Sequence, residues 1–293
     1  MYKECKLCAR MCGVNREAGT VGYCKASDKV RIARADLHMW EEPPISGSRG
    51  SGTVFFSGCS LGCIYCQNRE ISRNAVGREV SDDELVEIFL KLKEKGAHNI
   101  NLVTPTHFVP SIISAVSDAR ARGLDIPIVY NTSSYEREET LELLRGTVDV
   151  WLPDLKYYKS DTAKRYSNAS DLPEVSRRAI AKMVDIAGAP SFDTDGIMLR
   201  GVIVRILLLP SHLAEAKLNL KYLYDTYGDK IYISLMSQYT PFGNMPKPLD
   251  RRVTVAEYDE LVSYAERLGV KNAYIQERES ASESFIPPFD VTE

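Results

Sequence analysis

The sequence predicts an α/β protein whose main domain is a partial (β/α)6 barrel, preceded by a small N-terminal cysteine-rich metal-binding segment. Short apolar, β-branched runs alternate along the chain with amphipathic helical segments, which is the order that a parallel sheet requires. All seven cysteines lie within the first 66 residues, at spacings typical of metal ligands. The 293 residues suffice for one barrel-sized domain with a small addition. We therefore divide the chain into a cysteine-rich segment at 1–50, the barrel at 51–276 and a C-terminal tail at 277–293.

Six buried strands are predicted, because six mainly apolar runs are each bounded by polar or turn-forming residues. In chain order they are Thr53–Ser57, Asn99–Thr104, Ile126–Asn131, Val148–Pro153, Val202–Leu209 and Lys230–Leu235. Parallel strands joined by helices need right-handed crossovers, which curl the sheet towards a barrel.

Amphipathic segments between these runs predict the helices. Ser81 and Glu84 have the spacing of a capping box and open the first helix, which Gly96 ends. Apolar residues at helical spacing predict further helices at Pro110–Arg122, Glu138–Leu144, Pro173–Ala187, Leu213–Tyr227 and Val255–Leu268.

The second cysteine set is the more informative of the two. Cys59, Cys63 and Cys66 lie on one short loop directly after the first predicted strand. A 4Fe-4S cluster is normally held by four thiolates, so three cysteines leave one iron free to bind a small chelating molecule. The alternative is a partial zinc site completed by His98 or His107, although no feature of the sequence directs either histidine to this loop.

The first cysteine set comprises Cys5, Cys8, Cys12 and Cys24. Four thiols fit a second metal, either tetrahedral zinc, a single iron or a fully ligated 4Fe-4S cluster, and ligand type does not decide between them. A metal that only stabilises the N-terminal segment is an equally open interpretation. Disulfides are the least favoured reading, since the other three thiols require reducing conditions.

Composition excludes two classes of partner. The net charge is −3, and 37 basic residues are scattered among 40 acidic ones, so the chain lacks the basic stripe of a nucleic-acid binder. The longest apolar stretch, 201–209, contains Arg205 and is too short to cross a membrane. We expect a cytoplasmic protein that works under reducing, anaerobic conditions.

Polar side chains follow nearly every predicted strand, at the edge where βα architectures place their working residues. Arg205 differs, because it lies inside an apolar strand, where an unpaired charge is costly and requires an anionic partner. His107, His212 and Tyr239 are candidates for proton or hydrogen transfer, against the alternative of ordinary structural roles. The candidates for ligand contact at the strand ends are Thr104, Thr106, Asn131, Thr132, Asp154 and Lys156.

The C-x3-C-x2-C spacing, with Tyr65 before its third cysteine, resembles the signature of the radical S-adenosylmethionine (SAM) superfamily. Within it the chain is most similar to the PflX-like group, homologues of pyruvate formate-lyase activating enzyme. The phrases on which this resemblance rests are Trp40–Gly47, Phe55–Cys59, Asn101–His107, Pro127–Thr132 and Leu152–Tyr157. The resemblance implies a partial radical SAM barrel in which SAM binds the open iron and is cleaved to methionine and a 5′-deoxyadenosyl radical.

The resemblance also implies roles for individual residues. Cys59, Cys63 and Cys66 would ligate the cluster, and Tyr65 would lie against the adenine of SAM. The segment from Thr104 to His107, including Thr106, replaces the Gly-Gly-Glu of activating enzymes, whose backbone meets the SAM amino group. The residues that match positions near the methionyl end of SAM are Asn131, Thr132, Asp154, Lys156 and Arg205.

Three functions are therefore open at the level of sequence. The first is a radical SAM oxidoreductase that abstracts hydrogen from a peptide or small-molecule substrate, with an electron donor such as flavodoxin or ferredoxin. The second is an activase that raises a glycyl radical on a partner protein. The third is a non-catalytic or electron-transfer iron–sulfur protein. We expect the N-terminal segment or the aromatic tail Phe285–Phe289 to cover the barrel mouth, which disfavours the glycine of pyruvate formate-lyase itself as substrate.

Overall fold

The computed structural model describes residues 1–74 and 76–276, so the predicted tail 277–293, including Phe285–Phe289, lies outside the described residues. The strands are β1 (Val30–His38), β2 (Ser51–Phe56), β3 (Arg78–Val80), β4 (Ile100–Val103), β5 (Ile128–Thr132), β6 (Val150–Pro153), β7 (Ser191–Phe192), β8 (Met198–Leu207), β9 (Tyr232–Met236) and β10 (Ala273–Ile275). The helices are α1 (Pro43–Ser46), α2 (Arg69–Asn74), α3 (Asp82–Glu94), α4 (Val109–Ala121), α5 (Glu138–Leu143), α6 (Ser160–Ser167), α7 (Leu172–Ala187), α8 (Leu213–Tyr227) and α9 (Val255–Leu268).

One open sheet contains these strands, in the order β10-β9-β8-β6-β5-β4-β2-β1-β3, with β7 paired to β8. Every pair from β2 to β10 along this order is parallel, whereas β1 runs antiparallel to β2, and β3 antiparallel to β1. The predicted fold class, an unclosed βα barrel, is therefore confirmed. Among the described helices, none is long and apolar enough to span a membrane.

All six predicted strands are present, with ends that differ by a few residues from the predicted ones. The capping box of α3 is also confirmed, because the Ser81 hydroxyl accepts the Glu84 N–H and the Glu84 carboxylate accepts the Ser81 N–H. The prediction omitted β1, β3, β7 and β10. Of these, β10 adds a further parallel strand beside β9, and β1 lies within the cysteine-rich segment 1–50 and extends the sheet beyond β2. The sequence signal of β1 is the alternation of apolar and polar residues from Val30 to His38, which slips once at Ile32 and Ala33.

The barrel interior has an apolar floor. Ile45 of α1 is fully buried against Val129 of β5, Val150 of β6 and Ile203 of β8. The carbonyl oxygen of Ile45 accepts a 2.7 Å hydrogen bond from Asn99, just before β4, so α1 lies at the end where the parallel strands begin. Burying a side chain of this size stabilises the fold by about 1.5–3 kcal/mol. The opposite end, where the strands finish, is left for the polar loops.

Candidate metal centre and cofactor site

The loop that holds Cys59, Cys63 and Cys66 begins directly after β2, at the end of the sheet where βα proteins place their sites. Gly58 links strand and loop with a φ of 93°, a conformation that favours glycine. A Cβ atom there would lie 2.5 Å from the carbonyl oxygen of Cys24, so only glycine lets the N-terminal segment pack this closely against the loop. The two cysteine sets are therefore neighbours in space.

Hydrogen-bond donors reach the sulfur atoms of all three loop cysteines, none of which forms a disulfide. The donors are the Leu61 and Gly62 N–H groups to Cys59 at 3.4 and 3.5 Å, the Ser167 hydroxyl to Cys63 at 2.9 Å and the Ser72 hydroxyl to Cys66 at 3.6 Å. Donors of this kind stabilise thiolate and sulfide charge and tune cluster potential. The side chains present thus fit a three-cysteine cluster.

Two thiols of this loop, Cys63 and Cys66, have raised pKa values when no metal holds them. Burial raises the pKa of Cys63, and the nearby Lys156 ammonium partly opposes that shift. Burial, together with the neighbouring thiols Cys63 and Cys59, raises the pKa of Cys66 to about 12. Metal binding at these cysteines would therefore release protons and depend on pH.

A single metal ion has no ready site in the described part of the chain. Residues 1–74 and 76–276 contain no set of three His, Cys, Asp or Glu side chains spaced for one ion. A tetrahedral zinc with bonds of about 2.3 Å to sulfur would hold its ligands about 3.8 Å apart. A four-iron cluster is a larger body that spaces its thiolates further apart.

The N-terminal cysteines are unevenly exposed. Cys5 and Cys24 are buried, Cys8 is half-buried and Cys12 is exposed. Burial, followed by the neighbouring Cys24, Glu136 and Cys12, raises the pKa of Cys8 to about 12. These electrostatic influences indicate that the four thiols share one region, although they are not arranged around a single ion.

Arg16 supplies a buried positive charge beside this set. Its side chain is fully buried and donates to the carbonyl oxygens of Ala26, Ser27 and His107, while one guanidinium nitrogen lies 3.8 Å from the sulfur of Cys5. No carboxylate pairs with Arg16 among the described residues. A buried cation is costly unless compensated, so negative thiolates around a bound metal suit this position.

A half-buried cluster of three charged side chains occupies the ends of β6 and β8. Arg205 donates to Asp154 at 2.8 Å and to the side-chain oxygen of Asn131 at 2.6 Å, and Lys156 donates to Asp154 at 2.7 Å. Burial alone would raise the pKa of Asp154, but the two cations lower it below its ordinary value. An internal carboxylate is thus the partner that Arg205 required, one of the two alternatives left by the sequence.

Glu41, which sequence reasoning did not single out, is a further anionic partner. Its carboxylate lies 3.4 Å from Arg205 and accepts hydrogen bonds from Asn101 at 3.0 Å and Asn131 at 3.4 Å. Burial raises the pKa of Glu41, and Arg205 opposes the rise. The sequence signal of Glu41 is the segment Trp40–Gly47, one of the phrases that carry the family resemblance.

Tyr65 lies within a group of tyrosines instead of facing solvent. It is 5% exposed, and its ring makes edge-to-face contacts with Tyr157, Tyr166 and Tyr239 at centroid distances of 6.0 to 6.5 Å. The Tyr157 hydroxyl donates to the Tyr65 hydroxyl at 2.8 Å and lies 2.7 Å from Ser167, the residue that bonds Cys63. A chain of hydroxyl groups therefore connects the Tyr65 hydroxyl to the sulfur of Cys63.

The threonines of the strand ends surround a buried acid. The Thr106 and Thr132 hydroxyls donate to one oxygen of Glu136 at 2.6 and 2.5 Å, and burial raises the pKa of this carboxyl to about 7. Glu136 also forms a backbone bridge to Cys8. Thr104 has a φ of 58°, a strained conformation for a β-branched residue that costs about 1–3 kcal/mol. Strain of this kind is typical of functional positions.

The three candidates for proton or hydrogen transfer all have internal partners. The His107 ring bonds the carbonyl oxygen of Ser57 at 2.8 Å, and burial lowers its pKa to about 3. His212 lies 3.1 Å from the Tyr166 hydroxyl at the start of α8, and Tyr239 donates to the carbonyl oxygen of Leu249 at 2.6 Å. A catalytic role for His107, His212 or Tyr239 stays a prediction.

Comparison with known families decides the classification. Residues 53–201, which include the cysteine loop and the strands from β2 to the start of β8, match the family described as the Radical SAM superfamily. The chain belongs to the radical SAM superfamily. Membership implies an enzyme that uses a 4Fe-4S cluster and SAM.

A curated relative covers most of this radical SAM chain. It is an uncharacterized protein, MJ0674, from Methanocaldococcus jannaschii, 26% identical over an alignment of 285 residues that covers 94% of this chain and 78% of the relative.

A solved structure with bound S-adenosylmethionine shares the fold. Streptococcus suis SuiB bound to S-adenosylmethionine superposes with a TM-score of 0.53 at 10% identity, over 75% of this chain and 48% of SuiB. The chain therefore corresponds to about half of SuiB. A domain of pyruvate-formate lyase-activating enzyme from Bacteroides vulgatus matches less well, with a TM-score of 0.41 at 15% identity, over 59% of this chain and 91% of that domain.

Proposed function

We propose that this protein is a radical SAM oxidoreductase that holds a 4Fe-4S cluster through Cys59, Cys63 and Cys66 and abstracts hydrogen from a peptide or small-molecule substrate. The observation that supports this best is the open cysteine loop at the carboxyl end of β2, with a hydrogen-bond donor on every sulfur. When bound, the cluster would supply one electron to SAM, which then yields methionine and a 5′-deoxyadenosyl radical.

Lys156 is the residue that we propose for the SAM carboxylate. Its ammonium group is near Cys63, and one hydrogen bond to Asp154 leaves it further donors. Arg205 is instead held by Asp154 and Glu41, so it orients Asp154 and Asn131 from within the barrel. In this proposal Thr104, whose backbone is strained, and Thr106 take the place of the glycine-rich segment of activating enzymes. Thr132 lies next to Asn131 in sequence, and Tyr65 borders the adenine of SAM.

The N-terminal segment limits what can reach the radical. Ala9 donates its N–H to the carbonyl oxygen of Tyr135 at 3.5 Å, and Arg137 donates to that of Lys6 at 2.8 Å, so the segment lies along the end of β5. A segment in this position supports a small molecule or short peptide as substrate, because a large partner would have to displace it. An activase for a glycyl-radical enzyme is the alternative. A flavodoxin or ferredoxin would supply the electron.

Cys5, Cys8, Cys12 and Cys24 hold a second metal in this proposal. The donor set of four thiols and the uncompensated charge of Arg16 support a bound group that is negative overall. Four thiolates suit either an iron–sulfur cluster or zinc, and both stay open in this proposal.

Production of 5′-deoxyadenosine tests the enzyme proposal. Anaerobically reconstituted protein, reduced with SAM present, should release 5′-deoxyadenosine, and Cys59→Ala, Cys63→Ala or Cys66→Ala should each abolish it. Ile64→Ala is the matched control, because Ile64 lies in the same loop but is exposed and binds no sulfur. Undiminished product from Cys63→Ala would refute the assignment, and absence of product from the intact protein would favour the non-catalytic alternative.

Deuterium transfer tests the substrate class. The reduced enzyme is incubated with deuterated candidate peptides and metabolites, and 5′-deoxyadenosine is examined for label by mass spectrometry. Label from a small substrate would support the proposal. A stable glycyl radical raised on a co-expressed partner, detected by electron paramagnetic resonance, would establish the activase alternative instead.

A further inference from the structure

Side chains hold three consecutive peptide carbonyls of the loop between Cys59 and Cys63. Ser60, Leu61 and Gly62 are buried, and each of their carbonyl oxygens accepts a hydrogen bond from a side chain outside the loop. The pairs are Arg10 Nε to Ser60 O at 2.9 Å, the Tyr23 hydroxyl to Leu61 O at 3.1 Å, and Arg73 to Gly62 O. Two of the three donors belong to the N-terminal cysteine segment.

Arg10 reaches beyond this loop to the end of α6. Its two terminal nitrogens donate to the carbonyl oxygens of Asn168 at 2.8 Å and Ser167 at 3.3 Å. The hydroxyl of the same Ser167 donates to the sulfur of Cys63 at 2.9 Å. One guanidinium group therefore joins the cluster loop to the residue that bonds one of its sulfurs. Hydrogen bonds from a charged donor are about twice as strong as neutral ones.

The sequence positions of these two donors connect them to the N-terminal cysteines. Arg10 lies between Cys8 and Cys12, and Tyr23 directly precedes Cys24. The Arg10 guanidinium stacks on the Tyr23 ring at 4.0 Å, so the two side chains act as a unit. Anything that orders the N-terminal cysteines also orders both donors.

We propose that Arg10 and Tyr23 are positioning residues through which the N-terminal cysteine segment sets the conformation of the Cys59–Cys63 loop. This rests on the proposed function, in which that loop holds the cluster. The segment is then part of the radical site, and it also places one positive charge near the cluster. A nearby positive charge favours the reduced cluster, so Arg10 raises its reduction potential.

Thiol alkylation tests the positioning in the protein without metal. Arg10→Gln and Tyr23→Phe should each loosen the loop and so raise the alkylation rates of Cys59 and Cys63, which are followed by peptide mass spectrometry. We expect the rates to rise about tenfold for Arg10→Gln and about threefold for Tyr23→Phe. The matched controls are Arg137→Gln and Tyr2→Phe. Arg137 and Tyr2 also tie the N-terminal segment to the barrel, through Lys6 and Ser111, but do not reach the loop.

Redox titration of the reconstituted protein distinguishes the effect of the Arg10 charge on the cluster potential from the effect of its hydrogen bonds on the loop conformation. Arg10→Gln should lower the midpoint potential of the three-cysteine cluster and change its paramagnetic spectrum in the presence of SAM. Arg10→Lys keeps the charge but not the three-carbonyl contact, so it should retain most of the potential while alkylation in the metal-free form still rises. The N-terminal metal is monitored in the same samples by iron and zinc analysis.

The outcomes distinguish this inference from the proposed function. Wild-type alkylation rates in both Arg10→Gln and Tyr23→Phe would overturn the inference whether or not a cluster assembles. Equal increases in Arg137→Gln and Tyr2→Phe would also overturn it, because general loosening of the segment would then explain the effect. Failure of the intact protein to form a cluster or 5′-deoxyadenosine would refute the proposed function and leave the alkylation result to stand by itself.

Discussion

The two cysteine sets of this chain differ in how they are held. The loop from Cys59 to Cys66 follows a buried strand, and each of its sulfurs accepts a hydrogen bond. The set from Cys5 to Cys24 has no strand before it and depends on contacts with the barrel, such as the Cys8 bridge to Glu136 and the buried Arg16. The three-cysteine loop is local in sequence, whereas the N-terminal set is assembled by contacts with the barrel.

Removal of the loop cysteines gives the largest expected difference between the sets. A variant with Cys59, Cys63 and Cys66 all replaced by Ala should lose all iron of the three-cysteine cluster yet retain metal at the N-terminal set, because the two sets share no ligand. Iron and zinc analysis of the purified variant measures this. Complete loss of metal would contradict a second site and leave the N-terminal cysteines as ordinary thiols.

Arg16→Gln acts on the N-terminal set alone. It removes a buried guanidinium that bonds three carbonyl oxygens, so we expect a loss of about 3 kcal/mol in the free energy of unfolding, measured in urea. It should also lower N-terminal metal content while cluster iron is retained. Arg165→Gln is the control, since Arg165 bonds a single carbonyl at the surface. Equal metal content in both variants would argue against charge compensation by Arg16.

The sequence was sufficient for the parallel sheet and for the cysteine loop, because both depend on short-range patterns. Six apolar runs predict six strands, and a three-cysteine spacing after the first predicts the open cluster. It was insufficient for Glu41 and Glu136, whose surroundings come from several strands at once. In the sequence, each of these glutamates resembles an ordinary surface residue. Only the fold places Arg205 beside Glu41, and Thr106 and Thr132 beside Glu136.

The partners of Arg205 show the same limit. Its position in an apolar strand predicts an anionic partner, but sequence could not choose between SAM and an internal carboxylate. The structure provides Asp154 and Glu41, which leaves Lys156 as the cation better placed for a ligand. Arg10 and Tyr23 carried no signal of their own, because a hydrogen bond to a loop carbonyl depends only on where the chain passes.

Gly58→Ala tests the contact between the two sets. The added Cβ would meet the backbone of Cys24 at 2.5 Å, and φ is 93°, so we expect a loss of about 2–3 kcal/mol in unfolding free energy. Both metal contents should fall. Gly146→Ala is the matched control, because Gly146 has a φ of 80° but an added Cβ would have no atom within 4 Å. Its loss should be about 1 kcal/mol.

Gly62→Ala acts only within the cluster loop and should have the smallest effect. An added Cβ would overlap the guanidinium of Arg73, a flexible group that can move away, at the cost of its hydrogen bond to the Gly62 carbonyl. We expect the free energy of unfolding to fall by about 1 kcal/mol more than it does in Gly146→Ala. The iron content at Cys59, Cys63 and Cys66 should also fall, while the N-terminal metal content should not change. Iron analysis beside urea unfolding measures both. An equal fall in the N-terminal metal content would show that the two cysteine sets behave as one metal centre, which would contradict two separate sites.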